Sequence, residues 1–379
     1  MKSPLAGLVV IAVEQAVAAP FCTARLADAG ARVIKIERPN GDFARFYDDA
    51  VPGSSSYFVW LNRGKESVVL DLTQDSARRQ LGALIANADV LVQNLKPGAM
   101  ERMALGIEEL RQQHPRLICC SISGYGETGP LSARKAYDLL VQAESGLASI
   151  TGGPSEPARV GISIVDIATG ATAHAAILEA LIARGQSGEG ADLRISMFDV
   201  IADWLTVPLL NTEAGKPPKR LGLAHPSIAP YGVFSTADDQ QVLISIQSER
   251  EWVAFCVDVL KAPAMAADPR FSSNLARVGR RVETDLAVAE VFGALAADVL
   301  IGRLNAADIA FATINDMAAL SKHPHLRRID VATETGSVAF PAPAVIARGW
   351  ERHYGHVPAL GEHTDKVLQE LKLGESAAS

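Results

Sequence analysis

The chain has 379 residues, 48% hydrophobic and 21% charged, which is globular composition with enough apolar material for a large core. A formal net charge of -7 and a pI near 5.7 exclude a global basic field, and with it nucleic acid as an expected partner. No apolar run approaches the roughly 18 residues that span a bilayer, and Met1 to Pro4 opens without a secretory leader, so neither a membrane nor export is expected.

Residues 8–13 (LVVIAV) are a short continuous apolar run, the pattern of a strand covered on both faces. A helix from about Pro20 to Asp28 follows and closes at Gly30, where glycine suits a left-handed cap. Arg32 to Glu37 is the next strand and completes a βαβ unit. The alternation continues with Ser67–Leu72 extended, Ser76–Ala86 helical, Asp89–Gln93 extended, Glu101–Gln113 helical and Leu117–Ser121 extended. A helix from about Ala168 to Arg184, a strand at Ala191–Ser196 and a helix at Phe198–Leu210 complete it. This order predicts an α/β fold, a parallel sheet with helices on both faces. Asn211 to Ala229, rich in Gly, Pro and Lys, reads as a linker. Beyond it, Tyr231–Phe234 and Gln241–Ile246 pair around Asp238-Asp239, and helices rich in Ala, Val and Leu run to about residue 322. That is a second, smaller α+β domain. From about Ser337 the chain is extended and contains prolines, then ends in Gly361–Thr364 (GEHT) and a helix at Asp365–Leu373. Cys22, Cys119, Cys120 and Cys256 lack metal-ligand spacing and read as buried thiols of a reducing cytoplasm.

Two segments carry chemistry. Gly124–Gly129 (GYGETG) matches G-x-G-x-x-G, but Pro130 follows at once, Leu131–Arg134 does not read as a helix, and the motif comes after at least four strand signals, so a tight loop giving close backbone approach to a ligand is expected instead of a dinucleotide site. Asp166 follows the apolar run of Ile162–Val165 and precedes a small-residue helix. Two readings stand open for it. One is a helix N-cap, accepting the free N–H groups of the first turn. The other is a carboxylate nucleophile set among small residues so that a bulky substrate reaches it.

Nine segments in order resemble the family III CoA-transferases, the group that includes formyl-CoA, carnitine and bile-acid CoA-transferases and has the acyl-CoA racemases as relatives. They are Gln15–Pro20, Gly30–Pro39, Gly41-Asp42 with Arg45, Asn62–Asp71, Asp89–Asn94, Pro97-Gly98 with Arg102, Ser123–Pro130, Asp166 and Gly361–Thr364. The resemblance implies a large Rossmann-like CoA-binding domain built from both chain ends, residues 1–210 and the return at 330–379. A linker at 211–229 and a small domain at 230–329 lie between them. It also implies an interlocked homodimer.

The resemblance gives residue roles. Asp166 matches the nucleophilic aspartate, which would form an acyl anhydride and then an aspartyl-CoA thioester. Arg38, Arg102 and Lys135 match residues that touch CoA, and Val17, Ala18, Leu70, Asn94 and Leu95 match a segment lining its site. Lys96 either adds a phosphate contact or is solvated. Tyr137-Asp138 stands where the racemases carry His-Asp, and a tyrosine with a pKa near 10 suits α-proton transfer poorly. Tyr137, Asp138, His225, Tyr231 and Arg250 are candidate contacts for the acyl group. Coenzyme A and acyl-CoA enter as substrates, with no permanently bound cofactor and no metal expected. The partner substrate is a carboxylic acid, with small dicarboxylic acids such as mesaconate, itaconate, citramalate or succinate expected. An acyl-CoA racemase or a non-catalytic CoA-binding protein are the alternatives.

Overall fold

The computed structural model describes residues 3–350 and 352–378. It divides into two compact units. One comprises the chain up to Ala148, Arg159–Val207 and the chain from Arg327, and the other comprises Ser149–Ala158 and Pro208–Leu326. The second unit therefore begins inside the expected large domain and also takes in a short excursion at Ser149–Ala158.

The first unit is built on six parallel strands, β1 (Val9–Val13), β2 (Arg32–Glu37), β3 (Lys65–Val69), β4 (Val90–Gln93), β5 (Ile118–Ser123) and β6 (Asp192–Ser196), in the order β3-β2-β1-β4-β5-β6. Between them run α1 (Ala18–Asp28), α2 (Ser56–Asn62), α3 (Asp75–Ala86), α4 (Ala99–Arg102), α5 (Ile107–Gln113), α6 (Asp138–Glu144), α7 (Leu147–Ile150) and α8 (Ile164–Ser187). α9 (Met197–Trp204) and α10 (Thr206–Glu213) follow β6. Successive strand residues point to opposite faces, and both faces of β1 are buried. Ile11 and Val13 join Leu81, Leu84 and Ile85 of α3, while Val10 and Ala12 join Cys22 and Leu26 of α1 and Ala173 and Ile177 of α8. That two-sided burial is why β1 is apolar without alternation.

Several expectations need correction. The helix expected over Glu101–Gln113 is two helices, because Ala104 turns the chain at φ 58 and Gly106 starts the next. The helix expected at Phe198–Leu210 is also two, broken at Leu205. Pro208 lacks an N–H, and its ring would clash with the preceding turn of a continuous helix. The helix α8 starts four residues earlier than expected and is 24 residues long. By length and composition it is apolar enough to cross a membrane, although Asp166, His174, Glu179 and Arg184 interrupt its apolar sequence. Here its buried face, including Ala168, Ala173 and Ile177, packs into the core of the first unit.

The chain returns to the first unit through an antiparallel hairpin, Arg328–Thr333 with Gly336–Pro341, not expected from a segment with only Val331 and Phe340 buried in its strands. The Gly361–Thr364 segment then covers the sheet edge. Ser67 Oγ accepts from Gly361 N–H at 2.9 Å, Ser67 O accepts from His363 N–H at 2.9 Å, and Val69 N–H donates to Thr364 Oγ1 at 3.0 Å. An exposed strand edge is a template for aggregation, and the motif satisfies this one.

In the second unit, β7 (Tyr231–Ser235), β8 (Gln241–Ser245) and the unanticipated β9 (Ala310–Thr313) form an antiparallel sheet. Trp252, Phe255, Phe271 and Phe292 fill its core.

Candidate active site

In an open parallel sheet, ligands bind beyond the strand C-termini where the order reverses. Here the reversal lies between β1 and β4, since β2 pairs with one side of β1 and β4 with the other. A cavity of about 640 Å³ opens there, reached by the segments after β1, β4 and β5 and by the start of α8. Val17, Ala18, Asn94, Leu95, Lys135, Tyr137, Asp138 and Asp166 all line it.

Two glycines make the convergence possible. A Cβ on Gly170 of α8 would stand 2.4 Å from Ala18 O and 2.9 Å from Phe21 Cβ, so glycine lets the start of α1 lie directly against α8. A Cβ on Gly124 would stand 2.1 Å from Ala136 Cβ, so glycine lets the Lys135–Asp138 segment cross the end of β5. From Gly124 to Tyr137 no helix forms, which fits a tight loop and not a dinucleotide fingerprint.

Asp166 is the third residue of α8, and the N-cap position is Ser163, whose side chain makes no capping bond. The N-cap reading of Asp166 is thus incorrect. Its neighbour Asp138 does that work from outside the helix. Asp138 Oδ1 accepts from Val165 N–H at 2.8 Å and Asp166 N–H at 3.1 Å, and Oδ2 accepts from Gln142 at 2.6 Å. With both oxygens engaged by the protein, Asp138 anchors the start of α8 while also lining the cavity. The Asp166 carboxylate, by contrast, is half-buried and has no hydrogen bond or ion pair among the described residues. A helix N-terminus favours negative charge, yet burial first and the Asp138 charge second raise Asp166 to about 7.

The other expected residues divide by position. Asn94 points its amide at the backbone of Gln15, accepting from Gln15 N–H and donating to Gln15 O, both at 2.9 Å, so it shapes the loop after β1. Tyr137 is 58% exposed at the cavity. Lys135 and the unanticipated Arg159 add positive charge to its lining, as does Lys96. Phe43, Tyr47 and Tyr57 supply aromatic wall, and no spacing in the sequence marked them. Tyr47 is pushed up to about 12 by burial, then by Asp42 and Asp166, and stays a neutral phenol. Arg38 lies outside the lining, exposed and 5.6 Å from the ring of Phe43. Arg102 is also outside it, exposed on α4. Leu70 is a core residue at 4% exposure, packed in the α3 face of the sheet rather than in the cavity. His225 and Tyr231 belong to the second unit, where their rings stack at 5.2 Å and Arg281 donates to His225 O. Arg250 is the second residue of the helix Glu249–Ala254 of that unit.

Sequence and structure comparisons place the chain among known proteins. The model for CoA-transferase family III matches residues 5–364. Acetyl-CoA:oxalate CoA-transferase of Acetobacter aceti is 37% identical over 381 residues, covering 99% of this chain and 97% of its own. Succinate–glutarate CoA-transferase of Agrobacterium fabrum is 35% identical over 396 residues, covering 100% and 98%. The crystal structure of a CAIB/BAIF family protein from Brucella suis superposes with a TM-score of 0.83 at 33% identity, covering 98% and 100%. Matched end to end by these relatives and over nearly its whole length by the family model, the chain belongs to CoA-transferase family III.

Proposed function

We propose that this CoA-transferase moves CoA between small dicarboxylic acids with Asp166 as the covalent nucleophile. The carrying observation is the unpaired Asp166 carboxylate facing the cavity, raised to about 7. A carboxylate held without a partner keeps its lone pairs for a substrate carbonyl. Asp166 Oδ attacks the thioester carbonyl of the donor and CoA leaves as thiolate, giving a mixed anhydride. The thiolate attacks the aspartyl carbonyl, releasing the donor acid and leaving aspartyl-CoA. The acceptor carboxylate attacks that thioester, CoA leaves again, and its thiolate then takes the acceptor acyl group and frees Asp166. The activated acyl bond is conserved throughout.

Lys135, Arg159 and Lys96 at the cavity suit the phosphates of CoA and the second carboxylate of a dicarboxylic acid. The substrates in the relatives' names, oxalate for one and succinate and glutarate for the other, point to the same acid class. Among the described residues no histidine lines the cavity, which favours transfer over α-proton exchange. The reading includes an interlocked homodimer in a reducing cytoplasm. Exposed Trp204, Val207 and Leu210 support a covered surface, and four buried free cysteines fit the compartment.

The test mixes the enzyme with succinyl-CoA or acetyl-CoA and a panel of carboxylic acids, reading new acyl-CoA by mass. Dicarboxylic acids are expected to be converted best, and conversion confined to monocarboxylic acids overturns the substrate class. Asp166→Ala is expected to keep its fold and lose more than about 99% of kcat, since a lost nucleophile costs several kcal/mol. Retention above that level overturns the covalent role.

A further inference from the structure

The loop after β1 carries Val17 and Ala18 to the cavity, and it sits on a cluster of buried charges that the transfer chemistry does not use. Glu14, Lys35, Asp42 and Lys65 are each at most 4% exposed. Lys65 Nζ lies 2.6 Å from Glu14 Oε1, while Lys35 Nζ lies 3.4 Å from that oxygen and 2.9 Å from Asp42 Oδ2. Thr23 Oγ1 donates to the other Glu14 oxygen at 2.6 Å. The cluster is two carboxylates against two ammonium groups, so it balances internally. Its remaining acceptor, Asp42 Oδ1, turns outward and accepts from Ala16 N–H at 3.1 Å and Ala44 N–H at 3.0 Å. Ala16 holds φ 64, a left-handed conformation that a residue with a Cβ adopts at a cost. With Asn94 fixing Gln15 on the other side, the strained turn has an acceptor prepared for each of its first two N–H groups.

We propose that Asp42, clamped by Lys35 within this buried cluster, is a positioning residue for CoA transfer: its Oδ1 fixes Ala16 and thereby the backbone that Val17 and Ala18 present to acyl-CoA. Burying four charges is costly, and apolar residues of similar volume would give stability as readily. What apolar residues would not give is an immobile acceptor at the left-handed turn. Asp42 belongs to the Gly41-Asp42 motif, to which no chemical role attaches.

The test compares two neutral replacements in the full enzyme. Lys35→Met with Asp42→Asn removes one charge of each sign and keeps the acceptor for Ala16. Lys35→Met with Asp42→Ala removes the same charges and the acceptor. At a temperature where melting curves show both folded, the Ala pair is expected to lose about tenfold in kcat/KM for acyl-CoA and the Asn pair to stay within about threefold of wild type, as expected when alignment rather than charge is lost. KM for the acceptor acid is expected unchanged in both. Equal kcat/KM for acyl-CoA in the two pairs overturns the proposal, whatever their stability. If the Ala pair does not fold, Asp42→Asn alone decides. It keeps the acceptor, so it should melt lower than wild type with an unchanged KM for acyl-CoA, and a raised KM overturns the proposal. The proposal rests on the cavity being the acyl-CoA site. Calorimetric affinity for free CoA, measured on the same proteins, separates the two, because it follows the loop even if Asp166 is not the nucleophile.

Discussion

Asp166 carries two pH-dependent consequences that can be measured separately. Its carboxyl is raised from the ordinary 3.8 to about 7, so kcat/KM for acyl-CoA is expected to climb with pH and level off above an apparent pKa near 7. Asp138→Asn keeps an acceptor for the α8 N–H groups but removes the charge, and the acid limb of that profile should move down by roughly one pH unit. An unmoved limb would mean that Asp138 does not bias Asp166. The same shift acts on stability. Between about pH 4 and 7 the folded chain keeps a proton that the unfolded chain has lost, so stability falls as pH rises through that window. Asp166→Asn should therefore melt higher than wild type at pH 8, by about 1–2 kcal/mol after allowance for solvent, with the gap closing toward pH 4. A gap independent of pH would assign the effect to packing. Asp166 is singled out in the sequence by its place after an apolar run and by the family resemblance, although it lies inside the first turn of α8 and not ahead of it. Its free carboxylate and the capping by Asp138 are not legible in the sequence, because the two residues lie 28 positions apart and meet only through the fold.

At the scale of elements, the site depends on α1 and α8 touching at the glycine. Gly170→Ala is expected to cost about 1–3 kcal/mol through overpacking, since its Cβ would press on Ala18 O, which is backbone and cannot rotate away. The same push displaces Ala18, so KM for acyl-CoA should rise together with the loss of stability, read by urea unfolding and steady-state kinetics. Stability lost with KM unchanged would show that the start of α1 does not contact the substrate. Most strands were legible because two-sided burial writes a plain apolar run, as in Val9–Val13 and Ile118–Ser123. The hairpin Arg328–Thr333 with Gly336–Pro341 and the strand Ala310–Thr313 were not, because they bury few side chains and leave little pattern.

For the whole molecule, the two units and the exposed apolar residues of α9 and α10 bear on assembly. Interlocked chains separate only when a chain end withdraws through its partner, so dissociation should require unfolding. Dimer mass is expected to persist on dilution to nanomolar concentration and to disappear together with secondary structure. A folded monomer appearing reversibly on dilution rules out interlocking.

The sequence by itself determined the parallel α/β character and the family, because local periodicity and ordered motifs are properties of the chain alone. Tertiary structure decided which side chains face the cavity. Asn94 turns to the backbone of Gln15, Leu70 goes into the core, and Lys35 and Lys65 are drawn beneath the loop after β1 to neutralise Glu14 and Asp42. Their direction is set by partners in the segments after β1 and β2, and burying a charge is tolerable only where an opposite charge from elsewhere in the chain meets it.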